Sequence, residues 1–247
     1  GRFGPRWSMN YDTLCTLGPA SAKVRKGTGE VLAFSLPGGA SLLEPLAEEV
    51  SLSPPSGISE SLTVSNTLIV RTRLKDLVRF EYSRASASED KAWLTAIVDR
   101  NGNKIAINRS TSDPSRITSV NDPYGRQLLF YYNDQGQCTR IEPPGGGRSL
   151  EFAYGSTSGR LYRITDMVRN TAEYEYNSDG ELYSIRNGTP VQYVEVDPGS
   201  PAPDLPAGIP VRRTTVSYAS RTADSQDPLQ RFRVHEVREN GLDPVMY

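Results

Sequence analysis

Five positions in the middle of this chain carry the same short step at nearly equal distances. Leu94, Ile117, Cys138, Leu161 and Leu182 each open an apolar-x-x-aliphatic step, closed by Ile97, Val120, Ile141, Ile164 and Ile185, with spacings of 23, 21, 23 and 21 residues. Five positions after the openings stand Asp99, Asp122 and Asp166, with Pro143 the exception. Eight positions after them stand Gly102, Gly125 and Gly146, with Arg169 the exception. An aromatic alternation follows in the later units: Leu128-x-Phe130-x-Tyr132, Leu150-x-Phe152-x-Tyr154 and Ala172-x-Tyr174-x-Tyr176, each leading to a glycine at Gly136, Gly159 or Gly180. Self-similarity at a fixed short period is the signature of an architecture in which one supersecondary unit is stacked repeatedly.

A unit of about 22 residues holds two short strands and two glycine-containing turns, which is one β-hairpin. Period-2 alternation places Leu128, Phe130 and Tyr132 on one face, and predicts that Glu173 and Glu175 meet water opposite Ala172, Tyr174 and Tyr176. The first strand is less regular, because residues at i and i+3 point to opposite faces. Either a bulge intervenes or the opening residue packs over the preceding turn. A single hairpin is marginal alone, so successive units are expected to pair edge to edge into a continuous antiparallel sheet. The fold class this predicts is all-β, consecutive antiparallel hairpins with little helix.

Three regions follow: 1–93 as an N-terminal lead-in of strands with irregular loops, 94–188 as the hairpin repeats, and 189–247 as a decorated continuation. In the first, only Leu42 to Val50 hints at a helical turn, shortened by Pro45, and Ser51 to Glu60 reads as an irregular loop around Pro54-Pro55-Ser56-Gly57. Strands are expected at 68–71 and 77–82. In the third, 191–196 is strand-like, and Pro198, Pro201, Pro203, Pro206 and Pro210 mark an insertion loop that excludes ladder pairing. Strands return at 211–218 and 232–237.

Lys and Arg number 28 against 29 Asp and Glu, a formal net charge of -1, so no global positive field recruits nucleic acid. No apolar run reaches the ~18 to 20 residues needed to span a bilayer as a helix. The chain begins Gly1-Arg2-Phe3-Gly4 and ends Val245-Met246-Tyr247, which reads as a piece of a longer protein. Cys15 and Cys138 match no CxxC spacing; unpaired structural thiols are the leading reading, beside a long-loop disulfide and a metal role.

The steps Asp99-Arg100-Asn101-Gly102-Asn103-Lys104-Ile105, Asp122-Pro123-Tyr124-Gly125-Arg126, Tyr132-Asn133-Asp134-Gln135-Gly136 and Tyr176-Asn177-Ser178-Asp179-Gly180-Glu181-Leu182, with Gly159-Arg160-Leu161, resemble the YD repeats of the Rhs family. Asn133 and Asn177 stand where Asp is usual, a departure that keeps a turn-forming side chain. Gly4 to Asp12 also resembles the stretch that introduces the shell region in such proteins. The repeat resemblance covers about two-fifths of the chain. It implies a hollow β-shell built from hairpins, as in bacterial contact-dependent and type VI effectors, the C components of insecticidal toxin complexes, and animal teneurins. In the bacterial members it implies a cage around a toxic C-terminal domain, and hence secreted or cell-surface delivery, with the rest of the longer chain and its toxin domain as partners. The family's self-cleavage motif is not matched: Asp243-Pro244-Val245-Met246 departs after the Asp-Pro, so no catalytic aspartate is carried over.

Other chemistry is weak. His235 alternates within a strand without a nucleophile pattern. Gly145-Gly146-Gly147-Arg148-Ser149 lacks the Gly-Lys-Ser/Thr ending of a phosphate loop and falls at a repeat turn. Paired carboxylates can cleave sugars, and acidic turns can hold ions, but Asp99, Asp122 and Asp166 recur at one repeat position, as turn caps do. Tyr132, Tyr154 and Tyr176 read as cross-strand packing, with a glycan- or protein-binding face as the alternative. Asn108-Arg109-Ser110 and Asn187-Gly188-Thr189 match the N-glycosylation pattern, which matters only in a eukaryotic secretory protein. The expectation is a structural, non-catalytic shell segment needing no cofactor or metal, with exposed strand edges inviting self-association. The residues defining its repeat are the openings, closings, aspartates, tyrosines and turn glycines named above.

Overall fold

The computed structural model describes residues 2–38, 41–188, 212–218, 234–239 and 245–246. The chain is all-β, with no helix among the described residues. It divides into two compact units, Gly1–Gly146 and Gly147–Tyr247.

The first unit opens with eight strands: β1 (Leu14–Leu17), β2 (Ser21–Arg25), β3 (Val31–Ser35), β4 (Val50–Leu52), β5 (Glu60–Val64), β6 (Leu68–Arg73), β7 (Val78–Ser83) and β8 (Lys91–Val98). Consecutive strands pair antiparallel except β3 and β4, which meet through one bridge, Ser35 and Ser53 exchanging N–H···O bonds of 2.9 and 2.8 Å. β1 then pairs back onto β8 through Leu14↔Trp93, Cys15↔Ala92 and Thr16↔Lys91. The eight strands therefore close into a ring, whose one join without a ladder is the Ser35–Ser53 bridge between β3 and β4. Alternate residues point inward, so that Leu17, Ala22 and Phe34, and likewise Val64, Ile69 and Tyr82, form buried cross-strand rows. Full burial of the Leu, Val, Ile and Phe side chains in these rows contributes ~1.5 to 3 kcal/mol each.

The ring also encloses charge. Arg71 Nη1 lies 2.7 Å from Glu60 Oε2, both residues buried, and Lys26 Nζ reaches Glu60 Oε1 at 3.3 Å. The Arg71 guanidinium stacks 3.9 Å from the Phe80 ring. Buried Arg84 donates to the carbonyls of Leu42, Ser65, Asn66 and Glu89 at 2.9 to 3.2 Å, tying three loops together.

Several sequence expectations change here. The hinted helical turn from Leu42 to Val50 shortens to one turn at Leu42 and Leu43. Its continuation is blocked because Asn66 takes both backbone groups of Leu46, at 2.7 and 3.0 Å. Within 51–60, Ser51 and Leu52 belong to β4 and Glu60 opens β5, because Leu52 pairs with Leu62 in the ring interior. Leu77 is not in a strand; it holds the β6–β7 turn with φ of 56° and is exposed.

β8 changes partner along its length. Its first residues pair with β1, while Ala96–Val98 pair with β9 (Lys104–Arg109), followed in antiparallel order by β10 (Ile117–Asn121), β11 (Gln127–Tyr132) and β12 (Cys138–Glu142). The second unit contains β13 (Leu150–Tyr154), β14 (Leu161–Thr165), β15 (Thr171–Tyr176), β16 (Leu182–Gly188), β17 (Arg212–Tyr218), β18 (Val234–Glu239) and β19 (Val245–Met246), each paired antiparallel with the next. The expected strand at 191–196, the proline-rich loop and Asp243-Pro244 lie outside the described residues.

The two alternatives for the irregular first strand are resolved in favour of a bulge. The register shifts by one residue at Tyr82↔Leu94, Arg109↔Ile117, Tyr132↔Cys138, Tyr154↔Leu161 and Tyr176↔Leu182. Each opening residue thus faces a residue at or one short of the end of the strand before it, and one extra residue follows. The same shift recurs at Tyr218↔Val234, with His235 as the extra residue. Strand β15 departs from expectation: all six residues are half-buried, Glu173 and Glu175 included. Arg186 accounts for this, since it pairs across from Glu173 and forms an ion pair with Glu175.

Candidate functional site

The bulge creates a problem that the repeat solves with one side chain. Between β10 and β11 the ladder ends at Ser119↔Leu129, two residues short of Ile117, so the Ile117 carbonyl lies beyond the ladder. Tyr132 Oη donates to it at 2.8 Å. Between β14 and β15 the ladder ends at Arg163↔Glu173, and Tyr176 Oη donates to the Leu161 carbonyl at 2.6 Å. Both bonds reach back 15 positions. A buried carbonyl left without a donor costs about 1 to 3 kcal/mol, so the hydroxyl is the part of the tyrosine that phenylalanine could not replace.

The earliest unit meets the same need differently. Arg109 occupies the tyrosine position, and its Nε donates to the Leu94 carbonyl at 2.7 Å, again 15 positions back. Its other nitrogens reach the carbonyls of Tyr11 and Pro114, both at 3.1 Å. Burial lowers Arg109 to about 10, and burial raises Tyr132 to about 12.

A second element recurs with the first. Arg116 and Arg160, each immediately before an opening residue, lie 5.8 and 5.6 Å from the rings of Tyr132 and Tyr176. Their guanidinium groups fill the space where a Cβ on Gly136 or Gly180 would stand. These glycines, with φ of 74° and 78°, supply a left-handed turn and admit an arginine as well. Arg169 stands where the repeat otherwise carries glycine and holds φ of 72° without that freedom.

The turn side chains do uniform work. Asp99 Oδ1 accepts from the amides of Asn101 and Asn103, and Asp166 Oδ1 from those of Val168 and Asn170, all within 2.9 Å. Asp122 does the same with Tyr124 and Arg126, and its other oxygen pairs with Arg126 Nε at 2.6 Å. Bonds from the Asn103 and Asn170 side chains hold Asp99 and Asp166 below the usual carboxylate range; at Asp122 burial pulls upward but the Arg126 bond and amides outweigh it. Asn133 and Asn177 keep the amide contact, at 2.8 Å to Gln137 N and Glu181 N, and add a donor that aspartate lacks, Nδ2 reaching Gln137 Oε1 and Glu181 Oε2 at 3.1 Å.

The remaining candidates are placed as follows. Tyr132, Tyr154 and Tyr176 are half-buried, and the exposed tyrosines among the described residues are Tyr124, Tyr131, Tyr162 and Tyr183, the last two at the bulges. Cys15 and Cys138 are buried and not joined in a disulfide, and burial pushes both thiols up to about 12. Among the described residues no group of acids, histidines and cysteines could hold a metal, and no helix is long and apolar enough to cross a membrane. A pocket of about 260 Å³ has an apolar floor of Ile105, Val120 and Leu128 with Tyr11 beside it, and its charged residues, Asp122 and Arg126, are bonded to each other. Sequence reasoning missed Tyr82, Arg109 and Tyr218 as members of the tyrosine series; the apolar-x-x-aliphatic step at Val234 to Val237 was the available mark of the last.

Residues 67–197 match the family model described as Teneurin YD-shell. The crystal structure of TcdB2-TccC3-Cdc42 is similar with a TM-score of 0.37 and 14% identity, over 90% of this chain and 13% of that one. A Photorhabdus luminescens Tc holotoxin pore structure, carrying a TccC3 point mutation, is similar with a TM-score of 0.35 and 13% identity, over 88% of this chain and 14% of that one. The chain therefore spans a small part of the chains it resembles. No curated protein matches it.

Proposed function

The chain belongs to the teneurin YD-shell family, and from that premise we propose that it is a non-catalytic wall segment enclosing or presenting an attached domain of its own longer chain, a toxin. Its structural shell role rests on the family; confinement of a payload is the finer reading. The observation that carries it is the recurrent hairpin end, in which bulge, tyrosine, arginine and turn glycine repeat as one unit and turn acids are consumed in capping amides. Side chains spent on backbone bonds build a wall and leave little for substrate. On this reading the residues from Leu94 to Ile185 that recur in register set the hairpin spacing, 1–93 leads into the wall, and 189–247 continues it.

Delivery to the outside of the producing cell follows from the same proposal. The test uses the full-length parent protein: limited proteolysis should leave the attached domain intact while the wall is folded and degrade it once hairpin-end variants open the wall. Equal degradation in both would sink confinement. Unpaired wall edges of the isolated segment should promote self-association, and a monomeric sedimentation profile at high concentration would contradict that.

A further inference from the structure

The N-terminal segment, residues 2–13, lies across the hairpin ends of the first unit and does for them what no ladder does. Arg2 carries the far end: its carbonyl accepts from the Cys138 amide at 2.7 Å, Nη1 donates to the Gly136 carbonyl at 3.2 Å, and Nη2 bonds Asp113 and Ser115. The Tyr11 carbonyl accepts from Arg109 at 3.1 Å. At the near end the Thr13 carbonyl accepts from the Leu94 amide at 3.3 Å, and Thr13 Oγ1 bonds Tyr82 Oη at 3.1 Å. One strap therefore touches the openings at Leu94 and Cys138 and the arginine filling the tyrosine position between them.

Its fastening differs in kind from that of the ring it leads into. Cys15, just beyond it, is paired on both sides, with buried Val24 and Ala92. The strap holds through isolated backbone and side-chain bonds rather than a ladder, Ser8 Oγ donating to the Gly27 carbonyl at 2.6 Å among them, with Phe3 buried, and it includes left-handed Gly4 and Arg6, at φ of 86° and 66°. Segments with few ladder bonds and little buried apolar area open at lower free energy than closed sheets.

We infer that residues 2–12 form a detachable strap, hinged near Thr13, whose release uncovers the hairpin end at Cys138 while the eight-stranded ring stays closed. This goes beyond the wall reading and does not need a payload. The two cysteines report it separately, because Cys138 carries an amide under the strap and Cys15 lies inside the ring.

The experiment follows the labelling of each thiol by a maleimide in the whole chain, with peptide mass spectrometry separating the two sites. Arg2→Ala and Phe3→Ala should each raise the Cys138 rate about tenfold or more with the Cys15 rate unchanged. In the unsubstituted protein, urea below the unfolding transition should expose Cys138 before Cys15, which tests the strap even where a variant folds poorly. An unchanged Cys138 rate in both variants, or the two thiols always rising together, overturns the inference.

Discussion

The Tyr132 hydroxyl donates to the Ile117 carbonyl at 2.8 Å, across the gap left where the β10–β11 ladder stops at Ser119. Tyr176 does the same for Leu161. Replacing either by Phe keeps the ring and removes only the donor, so Tyr132→Phe and Tyr176→Phe should each destabilise by about 1 to 2 kcal/mol. Tyr124→Phe, at an 86% exposed residue, should change stability by less than about 0.5 kcal/mol. Urea denaturation midpoints at constant slope check all three.

Gly136 and Gly180 differ from Gly102 in what a methyl group would meet. All three hold left-handed φ, but Gly102 faces open space, whereas Arg2 and Arg116 crowd Gly136 and Arg160 crowds Gly180. Gly102→Ala should cost about 1 kcal/mol from backbone strain alone. Gly136→Ala and Gly180→Ala should cost about 0.5 to 1 kcal/mol more, because the arginine must swing off its tyrosine. Comparing Gly180→Ala with the Arg160→Ala, Gly180→Ala double variant isolates that extra part, since Arg160 alone crowds Gly180.

Acid should loosen the turns. The carboxyls of Asp99, Asp122 and Asp166 sit below their ordinary value, so each favours the folded state above the unfolded value of about 3.9 and loses that contribution as pH falls through its own lower value. Thermal midpoints should be level from neutral pH to about 5 and fall below about 4. Asp99→Asn and Asp166→Asn should flatten that fall while keeping the fold, since Asn133 and Asn177 already hold the equivalent amides.

The hairpin register was legible because turn chemistry and side-chain alternation are local: Asp99, Gly102, Asp122, Gly125 and Asp166 stand at fixed distances from Leu94, Ile117 and Leu161. The ring closure was not, because Ser35↔Ser53 and Cys15↔Ala92 join strands whose separation carries no periodic mark. The tyrosine stripe was legible as a pattern but not as a hydrogen-bond series, since a hydroxyl's partner depends on where a neighbouring ladder stops. Arg109 escaped for the same reason: a guanidinium and a phenol share a role there without sharing residue type.

The Glu60–Arg71 pair inside the ring makes a prediction of opposite character, because each partner is tolerated only through the other. Arg71→Met leaves Glu60 buried with Lys26 as its remaining cation, and should destabilise the protein by about 3 kcal/mol. Glu60→Gln leaves the Arg71 guanidinium short of its carboxylate, against Phe80, and should cost a similar amount. The Glu60→Gln, Arg71→Met double variant removes the charge from both sites, so its loss should be smaller than that of Arg71→Met alone. A double-mutant cycle from urea denaturation measures the coupling. If the two single losses simply add, the pair is not an energetic unit and the ring is held by its apolar rows.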